Sequence, residues 1–335
     1  MTPCRRNALR VLALSLGAAG LALSPLAQGQ SADYPTRPIR IVVPFAAGGG
    51  PDVLTRKMAV KLADVLGKGT VIVVDNVVGA GGILAAQSVA RAAPDGYTLL
   101  LGASSHVVQK AMQPSVQFDP LKDFAHVARV TSSPSVLVVS AGSAYQSVDD
   151  LMAAARKSPG KLNYASGGVG SAAHLAAAAL VLRAKVDVVH VPYKGSVEIV
   201  PSILAGDTQF AIPIGSTAIP QVKGGKVRAL AVTSAQRIPA LPDVPTLVEI
   251  FKTPDLALDA WFGIWAPAGT PAAVLDTLNK ALARTYDDPV LRADSEAMGA
   301  FVTLTSSPAE FSRFVEAETR KFEKIVKAAN LTVDK

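Results

Sequence analysis

The chain has 335 residues, of which half are hydrophobic and 5% are aromatic, and it carries a formal net charge of +7. No basic cluster with interleaved aromatic residues occurs, which argues against a nucleic-acid-binding protein. The single cysteine, Cys4, precedes a long apolar run, so the remainder of the chain has no disulfide, thiolate metal site or thiol nucleophile.

The first 29 residues have the pattern of an export signal. Arginines at the start are followed by an apolar run over residues 11–23, which is too short to span a bilayer, and then by the small-residue sequence Ala27-Gln28-Gly29. We predict a signal peptide over residues 1–29 with cleavage near Gly29. The pair Arg5-Arg6 leaves both the general secretory route and the twin-arginine route open.

Short β-branched runs then alternate with Ala- and Leu-rich stretches, which is typical of βαβ units. The first series predicts strands at 39–43, 71–74 and 98–101, and helices at 52–66 and 83–92. The second series predicts strands at 136–139, 162–165, 186–191, 209–212 and 227–232, and helices at 148–157, 171–183, 197–205 and 217–223. A proline-rich connector (236–254), a strand (260–266) and helices at 270–287 and 308–329 complete the chain.

This order predicts two α/β lobes, each a mostly parallel sheet flanked by helices. The first lobe combines residues 30–131 with 255–335, and the second comprises residues 132–254. Two chain crossings between lobes form a hinge, and a cleft between lobes is a natural ligand site.

Three glycine-rich turns lie where a predicted strand leads into a predicted helix. They are Gly48-Gly49-Gly50, Gly79-Ala80-Gly81-Gly82 and Gly167-Gly168-Val169-Gly170. Helix N-termini carry unpaired N–H groups and a partial positive charge, so turns of this kind suit anions. Since the first two turns fall in one lobe and the third in the other, we expect them to hold one small carboxylate across the cleft.

Other chemistries fit the residues less well. Residues 168–173 match a dinucleotide pattern, but a single match in mid-chain is weak. Ser171 and His174 leave an exported hydrolase open as an alternative, although no nucleophile elbow encloses a serine. The four histidines lack metal-ligand spacing. We therefore predict a protein with no metal, no cofactor and no catalytic residue.

Motifs along nearly the whole chain resemble the periplasmic receptors of tripartite tricarboxylate transporters, also called Bug receptors. They are YPTRPIR (34–40), VVPF (42–45), GAGG (79–82), PDGYTLL (94–100), HVPYKG (190–195), RALAVTS (228–234), LPDVPT (241–246) and APAGTP (266–271). The resemblance implies a two-lobed Venus flytrap fold. It also implies a monomeric receptor in the periplasm that passes a small carboxylate to the membrane permease subunits of a tripartite transporter.

The family's ligand-binding positions carry over onto two loops of this sequence. The first-lobe loop corresponds to Phe45, Ala46, Ala47, Gly48, Gly49 and Asp52, and the second-lobe loop to Ser166, Gly167, Gly170, Ser171 and His174. Ser104 and Ser216 are added because each follows a predicted strand.

Some residues depart from the family pattern. Val77-Val78 stands where Arg-Pro is common, and Gln209 stands where the family has aspartate, which could alter the floor of the second lobe. Asp52, if it faces the cleft, would accept an amino group and repel a second carboxylate. Sequence leaves open whether the liganded form serves transport or a membrane sensor.

Overall fold

The computed structural model describes residues 34–113, 115–328 and 330–331. The predicted signal peptide and its cleavage site near Gly29 lie outside the described residues. Every element below belongs to the compact unit that begins at Pro35.

The strands lie in two sheets. In chain order they are β1 (Ile39–Val43), β2 (Ile72–Asn76), β3 (Thr98–Ala103), β4 (Phe124–Ser133), β5 (Val136–Ser140), β6 (Asn163–Ser166), β7 (Val189–Pro192), β8 (Phe210–Ala211), β9 (Val227–Val232), β10 (Ala260–Pro267) and β11 (Phe301–Val302). The first sheet has the order β11-β4-β10-β3-β1-β2, and the second has the order β7-β6-β8-β5-β9.

Helices flank both sheets. They are α1 (Gly50–Leu66), α2 (Ile83–Ala90), α3 (Ser104–Met112), α4 (Val148–Lys157), α5 (Ala172–Ala184), α6 (Ile199–Ala205), α7 (Gly215–Lys223), α8 (Leu247–Phe251), α9 (Ala272–Thr285), α10 (Pro289–Ala297) and α11 (Pro308–Ala328). Within the described ranges, no helix combines the length and apolar character that a membrane span requires.

Both sheets are mixed. In the first sheet β1 pairs in parallel with β2 and β3, whereas β10 runs antiparallel between β3 and β4. In the second sheet β6 pairs in parallel with β7 and β8, whereas β5 runs antiparallel to β8 and β9. We call the first sheet with its helices the first lobe and the second sheet with its helices the second lobe. The predicted α/β two-lobed fold is confirmed, with antiparallel strands completing each parallel core.

The chain crosses between the sheets at two places that lie side by side. The first crossing runs from β4 to β5 through Pro134, and the second leaves β9 at Thr233 and returns at β10. The Thr233 N–H donates to the Ser135 carbonyl at 2.9 Å, and the Ser135 N–H donates to the Thr233 hydroxyl at 2.9 Å. The two crossings are therefore hydrogen-bonded to each other.

The YPTRP motif (34–38), which directly precedes β1, contacts the turn before β3. The Arg37 guanidinium pairs with Asp95 at 2.6 Å and lies 4.1 Å from the ring centroid of Tyr97. The Thr36 N–H donates to the Tyr97 hydroxyl at 2.9 Å. This motif therefore fixes β1 beside β3, where the carboxyl ends of both strands open on the same edge of the sheet.

Some elements are not predicted from the sequence. Strand β4 and helices α3 and α10 are the longest of those that occupy stretches with no predicted element. Strand β4 tolerates a central Arg129 because its guanidinium stacks 4.3 Å from the centroid of Phe314 on α11. The strand is therefore accommodated between β11 and β10 despite its polar residues.

Candidate ligand-binding cleft

The first glycine turn leads from β1 into α1 at the carboxyl edge of the first sheet. Gly49 is the residue before the helix, and no side chain caps the first turn, which contains Pro51. Ala46, Ala47 and Gly48 are exposed, whereas the ring of Phe45 packs edge-on against Phe262 at 5.8 Å. The turn therefore presents backbone, not side chains, at the start of a 17-residue helix.

A polar network centred on the buried carboxylate of Asp52 fixes the shape of this turn. The Asp52 carboxylate accepts the Gly48 N–H at 2.8 Å, the Arg56 Nε–H at 3.1 Å and the Asn76 Nδ2–H at 2.9 Å. The Arg56 Nη2 also pairs with Asp52 Oδ1 at 3.0 Å. Asn76 Nδ2 donates in addition to the Phe45 carbonyl at 2.9 Å. Asn76, at the end of β2, thus connects both ends of the turn.

The pKa of Asp52 reflects this network. Burial by itself raises the pKa of a carboxyl group, but the hydrogen bonds from Arg56, Gly48 and Asn76 outweigh burial here and lower the pKa below its ordinary value. The group is therefore ionised at neutral pH and remains paired with Arg56.

The second glycine turn, residues 79–82, approaches α3 closely. Gly79, Gly81 and Gly82 all have positive φ angles. A β-carbon on Gly82 would lie 2.9 Å from Nε2 of His106, and one on Gly81 would lie 2.8 Å from Nε2 of Gln109. The Gln109 Nε2–H donates to the Gly81 carbonyl at 3.0 Å. The positive φ angles together with these close approaches to α3 favour glycine at both positions.

Helix α3 begins with the predicted site residue Ser104, which is buried. Two residues further, His106 is completely buried, and its Nδ1 accepts the Ala103 N–H at 2.9 Å. Burial lowers the pKa of His106 to about 4, so its ring is neutral at neutral pH. The end of β3 is therefore joined to its helix by a neutral histidine.

The third glycine turn joins β6 to α5 in the second lobe. The buried Ser166 hydroxyl accepts the Gly168 N–H at 3.2 Å, lies 3.1 Å from the Gly168 carbonyl and lies 2.7 Å from Nε2 of His190. At the other end of the turn, the Gly170 N–H donates to Nδ1 of His174 at 3.0 Å. Each end of this turn is thus held by one histidine.

These two histidines stack on each other. Their ring centroids are 4.0 Å apart with an interplanar angle of 7°, and Tyr164 stacks on His190 at 4.8 Å. Burial lowers the pKa of His174 to about 3, with a further contribution from His190, and burial lowers the pKa of His190 to about 4. The two ends of the turn are therefore held by a stacked pair of neutral imidazole rings.

Turns from the two lobes face each other. A β-carbon on Gly50 of the first lobe would lie 2.5 Å from Oγ of Ser216 on α7, and one on Gly81 would lie 3.5 Å from the Val169 carbonyl. One on Gly170 would lie 3.3 Å from the sulfur of Met112 on α3. The structure therefore brings the first-lobe turns opposite the second-lobe turn and α7.

The alternative pairing of Ser171 with His174 has no catalytic geometry. The Ser171 hydroxyl caps α5 by accepting the His174 backbone N–H at 3.3 Å, while Nδ1 of His174 is occupied by the Gly170 N–H. A hydrolase would need the serine hydroxyl on the imidazole. Among the described residues, no group of three His, Cys, Asp or Glu side chains is arranged to hold a metal ion.

Sequence reasoning did not select Asn76, His106, Gln109 or His190, which support the loops from other elements. Gln209 lies at the start of β8, where it accepts the Asn163 N–H at 2.7 Å. This is the amino end of the strand, away from the carboxyl edge that carries the third glycine turn.

Comparison with known proteins agrees with this geometry. The sequence profile described as "Tripartite tricarboxylate transporter family receptor" matches residues 54–331. Protein BugT of Bordetella pertussis is 33% identical over 322 residues, which cover 95% of this chain and 96% of that protein.

Two solved structures from Rhodopseudomonas palustris share the fold. Rpa4515 with adipate is 33% identical with a TM-score of 0.82, and the match covers 89% of this chain and 99% of that chain. MatC (Rpa3494) with bound malate is 32% identical with a TM-score of 0.80, and the match covers 88% of this chain and 100% of that chain.

Fold and cleft together define a two-lobed solute-binding protein. The chain belongs to the tripartite tricarboxylate transporter receptor family, which confirms the family inferred from the motifs. This is a family of receptors and not of enzymes.

Proposed function

We propose that this protein is a periplasmic receptor that binds a small organic carboxylate between its lobes and delivers it to the membrane permease subunits of a tripartite transporter. One observation carries the proposal: amide-rich turns from separate sheets face each other, with the turn at residues 79–82 opposite the third glycine turn before α5 and the start of α1 opposite the start of α7. The adipate and malate named for two similar structures support a carboxylate ligand for this chain as well.

The proposed ligand contacts come from both lobes. In the first lobe they are the backbone from Phe45 to Gly49 and the start of α3 at Ser104. In the second lobe they are the turn from Ser166 to Ser171 and Ser216 on α7. Because the facing turns already lie close together, the ligand enters when the lobes part.

The two adjacent crossings at Ser135 and Thr233 support a hinge for this movement. We place the lobe boundaries within the two crossings, at Pro134 and between β9 and β10, close to the boundaries predicted from the sequence at 131–132 and 254–255. The receptor acts as a monomer, since one chain supplies both sides of the cleft.

A thermal-shift screen tests the ligand class. The mature protein is heated with adipate, malate, succinate and aromatic acids, and with the corresponding neutral amides as matched controls. A ligand at 100 times its Kd adds about 2.7 kcal/mol to stability, which for a protein of this size raises Tm by several degrees. A rise with at least one acid and none with its amide supports the proposal, whereas folded protein that responds to no acid contradicts it.

Export is tested separately. We expect the N-terminal residue of protein recovered from a periplasmic extract to be close to Gln30. Recovery of the uncleaved chain from the cytoplasm alone would contradict a periplasmic receptor.

A further inference from the structure

We propose that Asp259 is a positioning residue of the hinge, and that its carboxylate ties the two chain crossings together and holds the lobes in the closed arrangement. This inference rests on the proposed function and names a residue through which closure is controlled. It follows from the hydrogen bonds that the segments on both sides of the hinge share.

Thr233 is the residue at which the second crossing meets the first. It is fully buried, its N–H donates to the Ser135 carbonyl at 2.9 Å, and its hydroxyl accepts the Ser135 N–H at 2.9 Å. Its carbonyl accepts the Leu258 N–H at 3.1 Å, from the returning half of the second crossing. Because the Thr233 hydroxyl accepts from Ser135, its own hydrogen can be donated to a third segment.

The acceptor for this hydrogen is Asp259, directly before β10. Its Oδ1 accepts the Thr233 hydroxyl at 3.4 Å, and its Oδ2 accepts the Ser132 hydroxyl at 3.3 Å. Ser132 lies on β4, opposite Trp261 of β10, so one oxygen is anchored in the first lobe and the other reaches the chain that leaves the second lobe. Both distances exceed the usual value of about 2.7–2.8 Å for a hydroxyl donor. Each bond is therefore weak alone, and the carboxylate acts by joining the two.

Charged groups of the first lobe surround this carboxylate. Burial raises the pKa of Asp259, whereas its two hydroxyl donors, Arg129 on β4 and Lys321 on α11 oppose this increase by favouring the ionised form. Lys321 also pairs with Glu318 on α11 at 3.2 Å. The carboxylate is therefore held within the first lobe, and its bond to the second crossing is the one that a rotation of the lobes would change.

The first crossing connects the hinge to the cleft. The Pro134 carbonyl accepts the Gly215 N–H at 2.7 Å, and Gly215 is the first residue of α7. The next residue, Ser216, faces Gly50 across the cleft. A movement of the crossings therefore moves the second-lobe helix that meets the start of α1.

The tether has a consequence for affinity. The apparent affinity of a receptor scales with the fraction of molecules in the binding-competent conformation. Loss of the Asp259 carboxylate should therefore lower the population of the closed arrangement in the ligand-free protein and weaken binding without removing any ligand contact.

Distances between the lobes test this role directly. No cysteine follows Cys4, so Val60→Cys on α1 and Leu204→Cys on α6, both at exposed positions, place one spin label on each lobe. We expect double electron–electron resonance of the ligand-free protein to show a broader distribution of label separations for Asp259→Ala than for the parent. Asp259→Asn keeps an oxygen acceptor for Thr233 and should restore the narrow distribution.

Two results of this measurement would overturn the proposal. One is an equal distribution for the parent and for Asp259→Ala. The other is a distribution for Asp259→Asn as broad as that for Asp259→Ala, because the charge and not the hydrogen bonds would then be responsible.

Asp255→Ala is the matched control. Asp255 lies in the same connector and also accepts a threonine hydroxyl, that of Thr253 at 3.2 Å, but it is exposed and its bond stays within its own turn. We expect the distribution of label separations to stay as in the parent. A broadening equal to that of Asp259→Ala would assign the effect to the connector as a whole and overturn the tether.

Thr233→Val serves where Asp259→Ala does not fold. It keeps the shape of the side chain and removes the hydroxyl between Ser135 and Asp259, so we expect the same broadening. Thr233→Ser retains the hydroxyl and should behave as the parent. A narrow distribution for Thr233→Val overturns the tether.

Calorimetry with adipate and with malate relates the tether to binding. The distance measurement needs no ligand, so it decides the role of Asp259 even where neither acid binds, a result that counts against the proposed function alone. For an acid that binds, we expect Asp259→Ala to weaken the affinity several-fold and Asp255→Ala to leave it unchanged. An unchanged affinity in Asp259→Ala overturns the control of closure by this residue.

Discussion

At the residue scale, Ser166 shows how a buried hydroxyl can organise a binding turn. It is fully buried, contacts both the N–H and the carbonyl of Gly168, and connects them to His190. His190 in turn stacks on His174, which accepts the Gly170 N–H. One hydroxyl and two imidazole rings thus hold both ends of the same turn.

Ser166→Ala is expected to destabilise the protein. The change leaves Nε2 of His190 and the Gly168 N–H without their partner, which costs about 1–3 kcal/mol. Urea unfolding followed by circular dichroism measures the loss. The control is Ser158→Ala at the exposed end of α4, and equal stability of the two variants would contradict the role given to Ser166.

The sequence indicates which turns carry the site but not which side chains support them. Gly48–Gly50 and Gly167–Gly170 are recognisable because glycine clusters between a strand and a helix have few explanations. Asn76 and His190 reach those turns from neighbouring strands, β2 and β7. Such contacts depend on strand order, which local patterns do not determine.

At the element scale, α3 joins the glycine turns of both lobes. Gln109 donates to Gly81 in the first lobe, and Gly170 of the second lobe approaches both Gln109 and Met112. This helix follows β3, so the parallel pairing of β1 and β3 places its N-terminus at the same edge of the sheet as that of α1.

Gln109→Met tests this helix. Methionine keeps the length of the side chain but removes the hydrogen bond to Gly81, and we expect a loss of about 1 kcal/mol in stability and a several-fold weaker ligand affinity. Calorimetry and chemical unfolding measure the two effects. Gln117→Met on the exposed loop after α3 is the control, and identical behaviour of the two variants would count against α3 as a link between turns.

Predicted elements match where apolar periodicity is strong. Strands β1 and β9 and helix α4 have the predicted bounds. Their apolar residues form a short buried run in each strand and recur at helical spacing in α4, so the boundaries can be recognised in the sequence. Strand β4 was missed because His126 and Arg129 break its apolar pattern; the fold accommodates them against Trp265 and Phe314. Helix α3 is short and rich in Ser and Val, so tertiary packing and not propensity determines it.

At the scale of the whole molecule, four histidines are kept neutral by burial. The pKa of His174 is lowered to about 3, and those of His106, His126 and His190 are lowered to about 4. In the unfolded chain a histidine titrates near 6.5. Between about pH 6.5 and pH 4 the unfolded chain therefore binds protons that the folded protein does not.

The free energy of unfolding should consequently fall as pH falls through this window. Each histidine contributes up to about 1.4 kcal/mol per pH unit, and protonation of Asp259, whose pKa is raised by burial, offsets part of the loss. Urea unfolding at pH 7, 6 and 5 measures the slope. His190→Phe, which preserves ring stacking, should lower the slope of unfolding free energy against pH by the equivalent of one proton. A wild-type stability that does not change between pH 7 and pH 5 would contradict the neutral histidines.

The central claim concerns closure of the two lobes on a shared ligand. Gly50 and Ser216 meet across the cleft, and a β-carbon on Gly50 would lie 2.7 Å from the Ser216 Cβ, which cannot rotate away. Gly50→Ala should therefore hold the lobes apart without harming α1, since alanine favours a helix more than glycine does.

The most direct measurement is the calorimetric affinity of the tightest-binding acid for four proteins: wild type, Gly50→Ala, Ser216→Gly and the double variant. We predict that Gly50→Ala weakens binding by about tenfold or more, as overpacking of a tight contact costs about 1–3 kcal/mol. In the Ser216→Gly background the same change should cost little, because the clashing Cβ is absent. Equal affinities for wild type and Gly50→Ala, or the same loss in both backgrounds, would contradict a ligand held between closing lobes.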